Sequence, residues 1–319
     1  MTPRPALSLA WWTLRQTAGA LLVLLGTSAA LYAVVRLAPH AGPAGRVVAA
    51  APAGTVPAEG LPGYTEWLAG VVRGDLGRST AVQQGRPVSD LVFAGLRRSL
   101  GLAAAGLALS SLLSAGLTLI RSRWSDPGPA SALSAAAHLV SAVPVFLLAY
   151  LTTLAENRLV GAGIRAGWWD RPGWFPFPSR DDWVPWLVAA LILAVGDGLL
   201  ADLFRRTQAE WRAACAVEHR TGARLLGIPD WEVRVREALP GLAAHLSRRV
   251  SFVLGSTVVL EAALGWPGLG YLAWRAAAQR DLPLLLGAAV LMAAVVRAAG
   301  LLAELVRRWA DPRTGGEAA

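Results

Sequence analysis

Few residue types in this 319-residue chain could do covalent chemistry, and those present are badly spaced for it. The 30 basic residues are all arginine; lysine does not occur. A Walker A loop needs a lysine on the β- and γ-phosphates, and a Schiff-base enzyme needs a lysine amine, so both are excluded. Cys215 is the one cysteine, which rules out an intrachain disulfide and a CxxC site. His40, His138, His219 and His245 form no HExxH or HxxxH pair, and no GxSxG is present. The expectation is a chain that is no enzyme, holds no metal and carries no cofactor of its own. The polar groups that do stand out lie in apolar surroundings: Asp197, Glu261 and Arg297.

Those surroundings define the elements. Hydrophobic residues make up 55% of the chain and charged ones only 16%, with a mean hydropathy of +0.46. Soluble domains carry about 25% charged residues. The uncharged residues come in blocks: Ser99 to Ile120 is a run of 22, and a bilayer core of about 30 Å needs about 20 residues of helix. Six spans can be drawn, at about 16–36, 99–120, 130–154, 183–203, 247–263 and 283–306. The fold class is all-α, a polytopic membrane protein with six transmembrane helices. The first segment follows Arg4 and Arg15 as a signal peptide would, but its 20 uncharged residues from Gln16 to Val35 exceed the usual apolar region of such peptides, so it reads as a retained span.

The net charge of +9 fits topology better than nucleic-acid binding, because no soluble basic patch accompanies it. Nine arginines fall between the fourth and fifth spans, in 204–249, which places that segment and both termini on the cytoplasmic side. Outside, 39–63 reads as loop and 64–98 as short surface helices. The aromatics of 155–182 fit an outer headgroup belt, although with Arg165 and Arg171 they would also suit a ligand. Small residues in spans two and three, among them Gly101, Gly106 and Ser110, permit close helix packing. Pro144 should kink span three. Asp197 and Arg297 fall at similar depth if spans four and six start near Pro185 and Pro283. They either pair across the bundle or separately face water or the inner headgroups.

The segment 204–249 is too long for a simple connector. It reads as a helix from Gln208 to Leu226, a stop at Gly227, Ile228 and Pro229, an N-cap at Asp230, and a second helix from Trp231 to about Leu239. Such a basic hairpin either docks a cytosolic partner or lies on anionic headgroups.

With these motifs in view, the chain resembles the integral membrane permeases of ABC importers, in the dipeptide/oligopeptide/nickel branch. The stretch from Glu218 to Ile228 looks like that family's EAA loop, with Ala223, Arg224 and Gly227 at matching positions. Leu37-Ala38-Pro39 closes span one. Trp67, Gly74-Asp75-Leu76-Gly77-Arg78-Ser79 and Pro87-Val88-Ser89-Asp90-Leu91 look like the first external segment. Val143-Pro144-Val145-Phe146 matches the span-three proline. Glu261, Gly265-Trp266-Pro267-Gly268-Leu269-Gly270, Arg280-Asp281-Leu282-Pro283 and Asp311-Pro312-Arg313 follow in order. Departures include His245 and Leu225-Leu226, where the family often has proline and alanine-lysine.

The resemblance implies a permease subunit of an ATP-driven importer in a bacterial-type inner membrane, carrying peptides or a related small solute. It implies a second permease, two cytoplasmic ATPase subunits that use the ATP, and an external solute-binding protein as partners, with no nucleic acid. Ala223, Arg224, Gly227, Ile228 and Pro229 would couple to the ATPase. Gly74, Asp75, Gly77, Glu261, Trp266, Pro267, Gly268 and Gly270 would shape the external face. The whole chain reads as one permease domain, 1–319, divided into a first span (1–38), an external segment (39–98), spans two to four (99–203), the coupling hairpin (204–249) and spans five and six with a cytoplasmic tail (250–319). The alternatives are an ATP-independent channel or carrier, and a membrane scaffold that recruits a cytosolic partner.

Overall fold

The structure is a computed structural model that describes residues 18–19, 21–34, 63–123, 127–168, 183–215 and 226–310. The described chain is helical: α1 (Leu21–Val34), α2 (Tyr64–Val72), α3 (Val88–Ser122), α4 (Pro127–Ser141), α5 (Val145–Arg165), α6 (Trp183–Val195), α7 (Leu199–Cys215), α8 (Asp230–Leu264), α9 (Leu269–Ala278) and α10 (Leu282–Ala310). Among the described residues the extended pairing is confined to one isolated antiparallel bridge, Arg78 with Pro87.

Two helices, α3 and α10, are long and apolar enough to cross a bilayer uninterrupted. Three further pairs, α4 with α5, α6 with α7, and α8 with α9, are long and apolar enough only together, bent by 84°, 61° and 58°. α1 is apolar over its 14 residues. The six expected spans therefore coincide with helical segments, but two of them are not continuous helices. Span three needed more than a kink: the chain leaves helix at Ala142 and re-enters at Val145, because Pro144 has no N–H to donate and its fixed φ makes it the N-cap of α5. Span four, expected to run unbroken over 183–203, is interrupted by Gly196-Asp197-Gly198, with Asp197 at φ 53 and Gly198 at φ 77. Left-handed backbone ends a right-handed helix, so the depth argument for Asp197, which counted residues along one helix, does not apply.

The second helix of the hairpin is also longer than expected. It begins at Asp230 with Pro229 as N-cap, and instead of ending near Leu239 it passes Pro240 and continues to Leu264. The carbonyl that Pro240 leaves without a helical donor belongs to Arg236, an exposed residue, where water can satisfy it.

The chain divides into two compact units, each threaded by α3 and α10. The first comprises the described parts of Met1–Arg97 with Gly268–Arg297. Its core joins Val88, Leu91 and Val92 of α3 to Leu269 and Ala276 of α9 and Leu284, Leu285 and Ala288 of α10. Trp67 of α2 packs on Leu282 and Leu286, and the Tyr64 hydroxyl lies 2.9 Å from Ser28 Oγ of α1. The second unit is Arg98–Pro267 with Ala298–Ala319. There α7 packs along α8 and against α4, while α5 and α6 also lean on α8. Gly106 is one of the small residues that matter: a Cβ there would lie 2.7 Å from Leu193 Cδ2 of α6.

Candidate functional site

In the second unit, α7 and α8 are two limbs braced by charge. Asp202 Oδ2 accepts from His245 Nε2 at 2.7 Å and from Arg249 Nε at 2.8 Å, while Arg205 reaches Oδ1 at 2.9 Å. One turn further, Arg206 meets Glu210 at 2.5 Å. The Glu210 carboxylate lies so close to Gly241 that a Cβ there would sit 2.5 Å from it. The Arg234 guanidinium stacks over the Trp211 ring at 5.4 Å. His245, a departure from the family pattern, is thus one of the ties between the limbs. Its pairing with Asp202 was not legible from sequence, since 43 residues separate the two.

The turn 226–229 precedes α8. Gly227 has φ 77, a conformation that costs an L-residue about 1–2 kcal/mol. No heavy atom lies within 4 Å of its missing Cβ, so glycine is needed here for the backbone and not for space. Leu226 is 80% exposed and Trp231 63% exposed, so the turn presents apolar side chains outward. Ile228 is half-buried, and Pro229 caps α8. Ala223 and Arg224 lie outside the described residues.

In the first unit, residues 73–87 form a loop held on one carboxylate. Asp75 Oδ1 accepts from Gly77 N–H at 2.8 Å, and Gly74 and Gly77 both have positive φ. A Cβ at Gly77 would touch Pro283 at 3.7 Å. Asp281 is fully buried and anchors the loop. Its Oδ2 accepts from the Ser79 hydroxyl and from three successive backbone N–H groups, Thr80 and Ala81 at 3.1 Å and Val82 at 3.0 Å. Its Oδ1 accepts from Leu284 N–H at 3.3 Å, which caps α10. Burial pushes the Asp281 carboxyl up, but the bonds from Ser79, Val82, Ala81 and Thr80 outweigh it and hold it below the ordinary 3.8. Two of the quoted motifs, the one containing Ser79 and the one containing Asp281, are therefore a single structural clamp. Neither residue was a candidate site residue from sequence. The signal available was Arg280-Asp281-Leu282-Pro283, in which an acidic residue precedes a proline-started helix.

At the C-terminal end of α8, Gly265 adopts the left-handed C-cap and Trp266 N–H returns to the Glu261 carbonyl at 2.9 Å. Glu261 itself is fully buried. The Pro267 carbonyl accepts from Arg98 at 3.0 Å. In the first unit, Gly268 is the N-cap of α9, with Gly270 in its first turn. Gly95 of α3 lets Leu269 approach: a Cβ at Gly95 would lie 3.1 Å from Leu269 N and 2.8 Å from Leu272 Cδ1.

Asp197 lies in the break between α6 and α7, where its carboxylate accepts from Val145 N–H and Ser256 Oγ. Arg297 belongs to the first unit, where its guanidinium lies 3.9 Å from the position of a Gly19 Cβ.

The described residues thus carry bent pairs of apolar helices, a loop clamped on Asp281 and two helices braced by charge. The family model described as "Binding-protein-dependent transport system inner membrane component" matches residues 131–316, more than half of the chain, and the chain belongs to that family. A protein of Brucella ovis named as a peptide permease is 27% identical over 259 residues, 78% of each chain. The oligopeptide transport system permease protein AppB of Bacillus subtilis is 26% identical over 266 residues, 78% of this chain and 79% of its own. The crystal structure of an amino acid ABC transporter with histidines superposes with a TM-score of 0.45 at 15% identity, covering 69% of this chain and 94% of that one. Membership of that family makes the protein a multi-pass permease subunit of an ABC importer and not an enzyme. It works with other importer components, an ATPase and a binding protein among them.

Proposed function

We propose that the chain forms, with a second permease, the pathway for peptides or a related small solute delivered by an external binding protein. Two cytoplasmic ATPase subunits bind and use the ATP; the permease itself needs no cofactor. The observation that carries this reading is the pair α7 and α8, tied through Asp202, His245 and Arg249, with an exposed apolar turn at the start of α8. A rigid pair can transmit displacement, and a left-handed glycine at its tip sets one backbone shape for a partner groove. Residues Ala223, Arg224, Gly227, Ile228 and Pro229 form the ATPase contact. In this reading the hairpin and both termini are cytoplasmic, while the clamped loop with Gly74, Asp75 and Gly77 is external, as are Glu261, Trp266, Pro267, Gly268 and Gly270. The names of the relatives support peptides as the solute class.

The test is capture of the tagged chain from its native membrane in detergent, with mass spectrometry of what stays bound. Recovery of a second permease and an ATPase, with the ATPase lost in Gly227→Val, supports the reading. A chain recovered without an ATPase overturns the coupling role.

A further inference from the structure

The two broken spans of the second unit interrupt each other. Each break exposes backbone groups that a continuous helix would satisfy, and at membrane depth such groups need internal partners. Here each break supplies the partners for the other. Val145 N–H, at the start of α5, donates to Asp197 Oδ1 at 2.8 Å. Ala201 N–H, in the first turn of α7, donates to Ser141 Oγ at 3.1 Å. Between these caps, Asp197 N–H reaches the Val143 carbonyl at 3.2 Å and Gly198 N–H the Ser141 carbonyl at 2.6 Å. Gly196 allows the approach, since a Cβ there would lie 3.2 Å from Val145 Cα. The second oxygen of Asp197 accepts from Ser256 Oγ of α8 at 2.6 Å.

Asp197 holds a left-handed backbone that non-glycine residues adopt only when their surroundings dictate it, and aspartate is among the residues that tolerate it best. Its position is where three elements converge: the N-terminus of α5, the start of α7, and α8. Since α7 and α8 are the limbs of the coupling hairpin, a displacement of α7 is felt directly at this node, which sits at its N-terminus. Changing the bend between α6 and α7 strains the same bonds that set the bend between α4 and α5.

We propose that Asp197 is a positioning residue of the transport cycle, which joins the breaks of α4–α5 and α6–α7 into one hinge so that the two bends change together. This rests on the permease reading above. The physical warrant is reciprocal capping: neither break is closed without the other.

The test uses the complete importer in nanodiscs, with Cys215→Ser and spin labels on A166C, just past α5, and A213C, on α7; both positions are exposed. The distance between labels is read by double electron–electron resonance without nucleotide and with ATP plus EDTA, so that nucleotide binds without turnover. The wild-type background and D197N, whose amide keeps an acceptor for Val145 N–H and a group for Ser256, are expected to shift by about 2 Å or more. D197A and S141A are expected to lose that shift, or to spread the distance distribution in both states. Co-purification with the ATPase monitors assembly, and S141A carries the test if D197A does not assemble. An unchanged shift in S141A or assembled D197A overturns the hinge, as does a wild-type complex that binds ATP with no shift. Failure of the permease reading looks different: no ATPase co-purifies and no ATP is bound.

Discussion

Replacing Asp281 by alanine removes the acceptor on which the 73–87 loop hangs, and the cost follows from the bonds. Thr80, Ala81 and Val82 each donate a backbone N–H to one carboxylate oxygen, and none of the three belongs to a helix. A hydrogen bond to a charged group contributes about 1.5–3 kcal/mol net; taking the low end, because the donors share one oxygen, three losses amount to about 4 kcal/mol. At about 1.4 kcal/mol per tenfold, amide exchange in the segment 79–88 should accelerate roughly 10³-fold. Hydrogen–deuterium exchange of the assembled complex, followed by mass spectrometry of peptides covering that segment, reads this directly. Asp281→Asn retains one carbonyl acceptor and should fall between the two. If D281A assembles and its 79–88 exchange stays within about threefold of wild type, the carboxylate is not what holds the loop.

The same carboxyl has a pH dependence of defined sign. Its folded pKa lies below 3.8, so its contribution is fully present above pH 3.8 and is lost as pH falls through the lower folded value; exchange in 79–88 should be flat from pH 7 to about 4, after correction for intrinsic rates, and rise only below that. Gly95→Ala pushes a Cβ into the Leu269 backbone and should cost about 1–3 kcal/mol, lowering the thermal midpoint of the purified complex, whereas Gly101→Ala, with nothing within 4 Å, should be nearly neutral. Asp202→Ala leaves His245 and Arg249 without their shared acceptor and should destabilise the α7–α8 pair by about 2 kcal/mol, read as faster exchange in α7; His245→Gln, which keeps a donor, should cost less.

Much of this architecture is legible in the sequence because bilayer thickness fixes the length of an apolar run. The turn at 227–229 was legible too, since Gly-Ile-Pro stops a helix by two separate means. The breaks were read unevenly. Pro144 announced itself, but its effect is a true interruption and not a kink, because Asp197 and Gly198 of the other break meet the Val145 N–H and the Val143 and Ser141 carbonyls that it exposes. Gly196-Asp197-Gly198 was read as an intramembrane charge within a span, although glycines on both sides of an aspartate are also a turn signal. Hydropathy outvoted it. The Asp281 clamp and the Asp202–His245–Arg249 cluster escaped for another reason: their partners are 43 to 202 residues apart, and only the packing of helices brings them together.

The central claim is that this chain conducts a solute across the membrane under the drive of ATP. The most direct measurement is accumulation of labelled peptides in vesicles that hold the complex purified through this chain, with the binding protein outside and ATP inside. Uptake against a gradient is expected to require both ATP and the binding protein and to fail in Gly227→Val. Equilibration of the peptides without ATP, or uptake indifferent to the binding protein, would contradict it.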